Sequence, residues 1–136
     1  MAVQRIDQGM AVAAVNALPE RVDGDLRTRY RQLRIMLHSA GLAASFAFIA
    51  SKAGDPDQGG TAGAYGKVAE ALVKRLVVKG SLTGDPDSLS TTDVMRQLGG
   101  MSPVDYARAS AEAAALVSWL SRLANAVAAE GGDGAA

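Results

Sequence analysis

The sequence has no cysteine, a single histidine and few aromatic residues. Without cysteine, disulfide bonds and thiolate metal sites are excluded. With His38 as the one imidazole, catalysis by a histidine pair and a histidine-rich metal centre are excluded as well. Aromatic residues make up 4% of the chain, whereas apolar residues, many of them alanine, make up 49%. This composition favours closely packed helices over a β-sandwich.

The chain also lacks a long hydrophobic run. The apolar stretch from Ala40 to Ala50 covers 11 residues, whereas a membrane-spanning helix needs roughly 20. The first residues show no basic segment followed by an apolar one, as a secretory signal would. The glycines form no phosphate-binding motif that continues into lysine and serine or threonine. We therefore expect a cytoplasmic protein with no membrane association, cofactor or metal ion, and no catalytic activity.

Apolar residues recur at spacings of three and four, which predicts an all-α fold, a compact bundle of about six helices. The fifth helix is short and ends near Leu98. We expect a single helical domain over residues 1–130 and a disordered tail over residues 131–136. The apolar rows of the other five helices are Val3, Ile6, Met10, Ala13/Ala14 and Ala17; Leu26, Tyr30, Leu33 and Leu37; Leu42, Phe46, Ile49 and Ala53; Tyr65, Val68, Leu72 and Leu76; and Tyr106, Ala109, Ala113, Leu116/Val117, Leu120 and Ala124.

Polar residues with capping chemistry predict where helices begin. Asp25 and Thr61 are placed to cap the second and fourth helices, and the segment Ser90-Thr91-Thr92-Asp93 resembles the start of the fifth. Ser102 followed by Pro103 gives the clearest boundary, because serine caps and proline fits the first helical position. The pattern Gly-Asp-Pro-Asp occurs at residues 54–57 and 84–87. Its spacing is not that of a calcium-binding loop, so both copies are predicted to form turns.

Charge is distributed unevenly although the net charge is zero. The segment from Leu26 to Lys79 holds nine basic and three acidic residues, while the segments on either side are acidic. Within it, Arg27, Arg31, Arg34 and His38 fall at i, i+4, i+7 and i+11, so they share one helix face. No acidic residue occurs between Leu26 and Ser51. A row of like charges is relieved by an anion, and arginine matches phosphate in geometry.

The predicted last helix carries a second mixed face with Arg108, Glu112, Trp119 and Arg122. We expect Glu112 to hold Arg108 at i+4. Trp119 has three interpretations: a core residue, an anchor in a protein interface, or a platform on which a base stacks.

Two stretches resemble signatures of the small helical subunit of type III-B CRISPR effectors, the Cmr complexes. The first, Tyr30 to Lys52, reads YRQLRIMLHSAGLAASFAFIASK. The second reads YARASAE from Tyr106 and continues as VSWLSRLA from Val117. Gln4-Arg5 is similar to the family's N-terminal helix. The order and spacing fit across residues 4–126.

The resemblance implies a non-catalytic subunit that stacks along the backbone of the effector and holds guide–target RNA through its phosphates in antiviral defence. Its partners would be other Cmr subunits, CRISPR RNA and target RNA, with self-stacking left open. Arg34, Lys52, Arg108 and Arg122 lie in the matched stretches. The full set of candidate RNA-binding residues is Arg27, Arg31, Arg34, Lys52, Lys74, Arg75, Arg108 and Arg122. The alternative is a helical adaptor or homo-oligomeric bundle with no nucleic-acid role.

Overall fold

A computed structural model describes the backbone of residues 6–130 and the side chains of residues 8–128. The predicted all-α single domain is confirmed, and no strand occurs between residues 6 and 130. The predicted tail at 131–136, Val3 and the side chain of Ile6 lie outside the described residues. The six helices are α1 (Ile6–Ala17), α2 (Gly24–Ala40), α3 (Leu42–Lys52), α4 (Gly60–Val78), α5 (Thr91–Gly99) and α6 (Pro103–Glu130).

The long helix α6 organises the bundle. It packs against α1, α2 and α4, and α3 packs against α2, α4 and α5. The predicted apolar rows of α2 and α4 are buried throughout, and so are the rows of α3 and α6 except for Ala53 and Tyr106, which are half-buried. A helix in water is held mainly by tertiary packing of its apolar face, so these rows fix which side of each helix remains exposed. Among the described residues, no helix is both long and apolar enough to cross a bilayer.

The predicted start of α5 at residues 90–93 and the predicted cap of α6 were right, and the predicted caps of α2 and α4 were wrong. Ser90 and Asp93 form a reciprocal capping box, and the Ser102 hydroxyl accepts a hydrogen bond from the Asp105 N–H at 3.1 Å. At α2 the cap is Asp23, whose carboxylate accepts from the Leu26 N–H at 2.8 Å. Asp25 lies inside the first turn instead.

Helix α4 begins at Gly60, one residue before the predicted cap, and no side chain caps it. Its start is set by the preceding loop, which folds back onto the helix. The Gly54 N–H donates to the Ala62 carbonyl at 2.8 Å. A Cβ on Gly66 would overlap the Gly54 carbonyl oxygen, and one on Gly63 would overlap the Gln58 carbonyl oxygen. Glycine at these two positions therefore permits a backbone-to-backbone approach that no other residue allows.

Both Gly-Asp-Pro-Asp copies are turns, as predicted. In the first, the Asp55 carboxylate accepts from the Asp57 N–H at 2.9 Å. In the second, the Asp85 carboxylate accepts from the Asp87 N–H at 3.0 Å. An aspartate that bonds the backbone two residues on is a turn motif in its own right.

Candidate nucleic-acid interface

The exposed face of α2 presents three members of the predicted basic row. Arg31, Arg34 and His38 are exposed, and Arg27 in the first turn is half-buried. The row spans about 17 Å, since an α-helix rises 1.5 Å per residue. The buried row Leu26, Tyr30, Leu33 and Leu37 lies beside it and holds the helix against the bundle.

The basic row has no carboxylate partner. The described residues form four ion pairs, and none includes Arg27, Arg31, Arg34 or His38. Arg31 makes one weak contact, a 3.5 Å hydrogen bond to the Thr28 hydroxyl. No carboxylate among the described residues therefore neutralises the row, in keeping with the absence of acidic residues between Leu26 and Ser51.

Arg29, on another side of α2, differs from the row. Its Nε lies 2.7 Å from the Asp25 carboxylate, and an Nη donates to the Tyr65 hydroxyl at 3.5 Å. The hydrogen bond that Arg29 donates to the Asp25 carboxylate is the main cause that raises the pKa of the Arg29 guanidinium above its ordinary value. Sequence spacing explains why Arg29 is paired and Arg31 and Arg34 are not. Asp25 lies one helical turn before Arg29, whereas no acidic residue lies one turn before Arg31 or Arg34.

Burial limits how Arg27 can contact an anion. Its Nε is buried and has no hydrogen-bond partner among the described residues. A two-pronged contact through Nε and a terminal nitrogen needs that edge to be open. A phosphate can therefore approach Arg27 only through its terminal nitrogens.

Lys52, at the end of α3, is exposed. Its ammonium lies 5.7 Å from the centre of the Phe48 ring, within cation–π range. It belongs to no ion pair among the described residues. Lys52 is thus a free cation on an element adjacent to α2.

Arg75 and Lys74, although neighbours, have different environments. The Arg75 Nε lies 3.0 Å from the Glu112 carboxylate, and the two side chains are only 10% and 21% exposed. The prediction that Glu112 pairs with Arg108 is therefore wrong. Packing of α4 against α6 places Arg75 next to Glu112, and the carboxylate pairs with Arg75 instead. Lys74 is exposed and lines a groove between α1 and α4.

The α6 candidates lie on that helix's own outer side. Arg108 pairs loosely with Asp105 at 3.8 Å. The Arg122 guanidinium lies 5.7 Å from the centre of the Trp119 ring and donates to the Ser118 hydroxyl at 3.3 Å. Trp119 is half-buried and packs against the core, which supports the core interpretation of this residue.

Tyr106, on α6, caps the start of α3, a role that the sequence did not predict. Its hydroxyl accepts a hydrogen bond from the Ala43 N–H at 2.9 Å, across 63 residues. Gly41, at the corner between α2 and α3, has a φ of 93° and no capping side chain. Tyr106 thereby ties the end of the basic row to α6. No local signal could reveal this contact, because its partners are distant in sequence.

A protein-family model described as "CRISPR-associated protein (Cas_Cmr5)" matches residues 4–127. The match covers all six helices apart from the last residues of α6. No curated protein and no solved structure matches the chain significantly.

Proposed function

The chain belongs to the Cmr5 family of CRISPR-associated proteins, small subunits of the type III-B effector complex, and on that premise we propose that it holds guide–target RNA through its phosphates. It does so as a non-catalytic subunit stacked along the backbone of the complex, in antiviral defence in the cytoplasm. The contacts are independent of sequence, because they go to the sugar-phosphate chain and not to base edges.

The observation that carries the proposal is the unpaired basic row of α2. Like charges on adjacent turns of a helix repel one another. An anion placed along the row removes that cost, and an RNA strand supplies one phosphate per nucleotide. Two exposed arginines, Arg31 and Arg34, form the centre of the row.

The other candidate residues contribute unequally to the proposed contact. Lys52 extends the cationic surface from α3, and Arg27 adds its terminal nitrogens. Arg108 and Arg122 remain candidates on α6, each with one weak internal contact to break. Arg75 is left out of the proposed surface because its charge is matched by Glu112 inside the bundle.

The test is binding of labelled single-stranded RNA to the purified chain across a salt series. The binding constant should fall steeply between about 50 and 200 mM salt. Each phosphate contact to a single strand adds about 0.7 to the steepness of the plot of log binding constant against log salt concentration. Replacing Arg31 and Arg34 by alanine lowers the slope by about 1.4, the value for two lost contacts. Replacing both by glutamate abolishes binding.

A matched control reverses two cations elsewhere. Lys79→Glu with Arg96→Glu changes the net charge equally, but Lys79 directly follows α4 and Arg96 lies on α5. The ion pair between Arg96 and Asp93 is largely exposed and contributes little. RNA binding should survive in the control. If the two double reversals weaken binding equally, only net charge matters and the α2 row has no special role. If neither does, the helical adaptor without a nucleic-acid role becomes the better description.

A further inference from the structure

A groove of about 240 Å³ between α1 and α4 lies apart from the α2 row. We call it the α1–α4 groove; its lining includes Val12 and Ala13 from α1, and Lys67, Ala71, Lys74 and Val78 from α4. Val12 and Val78 are 60% and 75% exposed. Val15, one turn beyond Val12, is 58% exposed. Of the five large apolar side chains that are exposed among residues 8–128, three therefore lie at this groove and on the adjoining surface of α1.

The α1 wall carries no charge. Residues 8–17 include no acidic or basic side chain, whereas the outer face of a surface helix ordinarily carries charged and polar residues. A stretch of helix without charge from residue 8 to residue 17 that leaves two valines in water is suited to contact with another apolar surface. The wall offers no free arginine to phosphate and no aromatic ring to a base, so RNA does not fit it.

The α4 rim of the groove supplies cations. Lys67 and Lys74 lie two turns apart on α4, and neither takes part in any of the ion pairs between described residues. Arg75 at the base is matched by Glu112. Among the residues whose side chains the structure describes, Glu70 is the one carboxylate that lines the groove. An occupant with acidic side chains next to its apolar ones would complement this rim.

We propose that the α1–α4 groove seats an apolar segment flanked by carboxylates in another protein subunit of the effector complex. The segment inserts aliphatic side chains between Val12 and Val78 and directs an Asp or Glu to Lys67 and Lys74. Lys74 thereby belongs to a protein-facing surface and not to the RNA-facing one. This inference rests on the proposed function, since it takes the chain to be assembled with RNA and other subunits.

The test places a photo-crosslinking amino acid at position 12 of the full chain, which is co-expressed with the other subunits of its effector complex. After irradiation, the crosslinked peptide is identified in the purified complex. The expected peptide comes from a different subunit and carries aliphatic residues beside Asp or Glu. A peptide from a second copy of this chain, a crosslink to RNA, or no crosslink in an assembled complex each overturns the proposal.

Two single substitutions check the surface independently. Val78→Asp should reduce retention of the chain in the purified complex roughly tenfold or more, as expected for a buried interface residue. Val104→Asp is the matched control, because Val104 is 67% exposed at the start of α6 and outside the groove. Equal retention of the two variants contradicts the proposal.

The two proposals fail in distinguishable ways. The Val78→Asp chain, purified alone, should bind single-stranded RNA as the unchanged chain does. If reversal of Arg31 and Arg34 abolishes RNA binding but the groove forms no crosslink, the RNA role stands and only the docking surface is contradicted. A groove that crosslinks to another subunit, together with RNA binding that is unchanged by reversal of Arg31 and Arg34, supports the docking surface and contradicts the RNA role.

Discussion

Replacing Gly66 by alanine is the substitution for which helix propensity and tertiary structure give opposite predictions. Gly66 lies inside α4, where alanine in place of glycine ordinarily stabilises a helix by about 1 kcal/mol. Here the new Cβ would overlap the carbonyl oxygen of Gly54, a backbone atom that cannot rotate away. The loop must move, and the 2.8 Å hydrogen bond from the Gly54 N–H to the Ala62 carbonyl is lost or lengthened.

The expected magnitude follows from three opposing contributions. Overpacking costs about 1–3 kcal/mol, and the hydrogen bond contributes about 1 kcal/mol. The gain in helix propensity offsets about 1 kcal/mol. Gly66→Ala should therefore lower the free energy of unfolding by about 2 kcal/mol, which is a fall in melting temperature of roughly 6–10 °C for a domain of this size.

The assay is thermal and urea unfolding followed by circular dichroism, with Gly99→Ala as the control. Gly99 is also helical, but a Cβ there would meet nothing within 4 Å. That variant should be unchanged or up to ~1 kcal/mol more stable. If Gly66→Ala is as stable as Gly99→Ala, the close approach of the 54–58 loop to α4 does not exist in solution.

Two further predictions concern a distant cap and a local one. Tyr106→Phe removes the acceptor of the Ala43 N–H and should cost about 1 kcal/mol in urea unfolding. Tyr30→Phe removes a buried hydroxyl that has no hydrogen-bond partner among the described residues, so it should be neutral or stabilising. Equal losses of stability in both variants would refute the cap. The capping box with Ser90 lowers the pKa of Asp93. Because a depressed carboxyl pKa stabilises the fold above the unfolded-state value of about 3.9, this contribution is present at neutral pH and is lost as the pH falls through the lower folded-state pKa. Asp93→Asn should flatten that acid limb of a stability-against-pH curve, and an unaltered curve would contradict the assignment.

The sequence by itself determined the helices and their inward faces. The spacing of Leu26, Tyr30, Leu33 and Leu37 follows the helical repeat of 3.6 residues, so any packing that buries the row leaves Arg31 and Arg34 on another side. The caps at Ser90 and Ser102 were equally readable, because a cap joins a side chain to a backbone N–H three residues later. Both kinds of signal act over one or two turns.

Tertiary structure alone decided which local options were realised. Asp23 and Asp25 could each cap α2, and the conformation of the connection from α1 selected Asp23. Glu112 had Arg108 within reach on its own helix, yet it pairs with Arg75, 37 residues away. Contacts of this kind, like Tyr106 with Ala43 and the 54–58 loop with Gly63 and Gly66, depend on how helices cross. Periodicity along one helix contains no information about the neighbour that it meets, so the separation of the α2 basic row from the α1–α4 groove became visible only in the folded bundle.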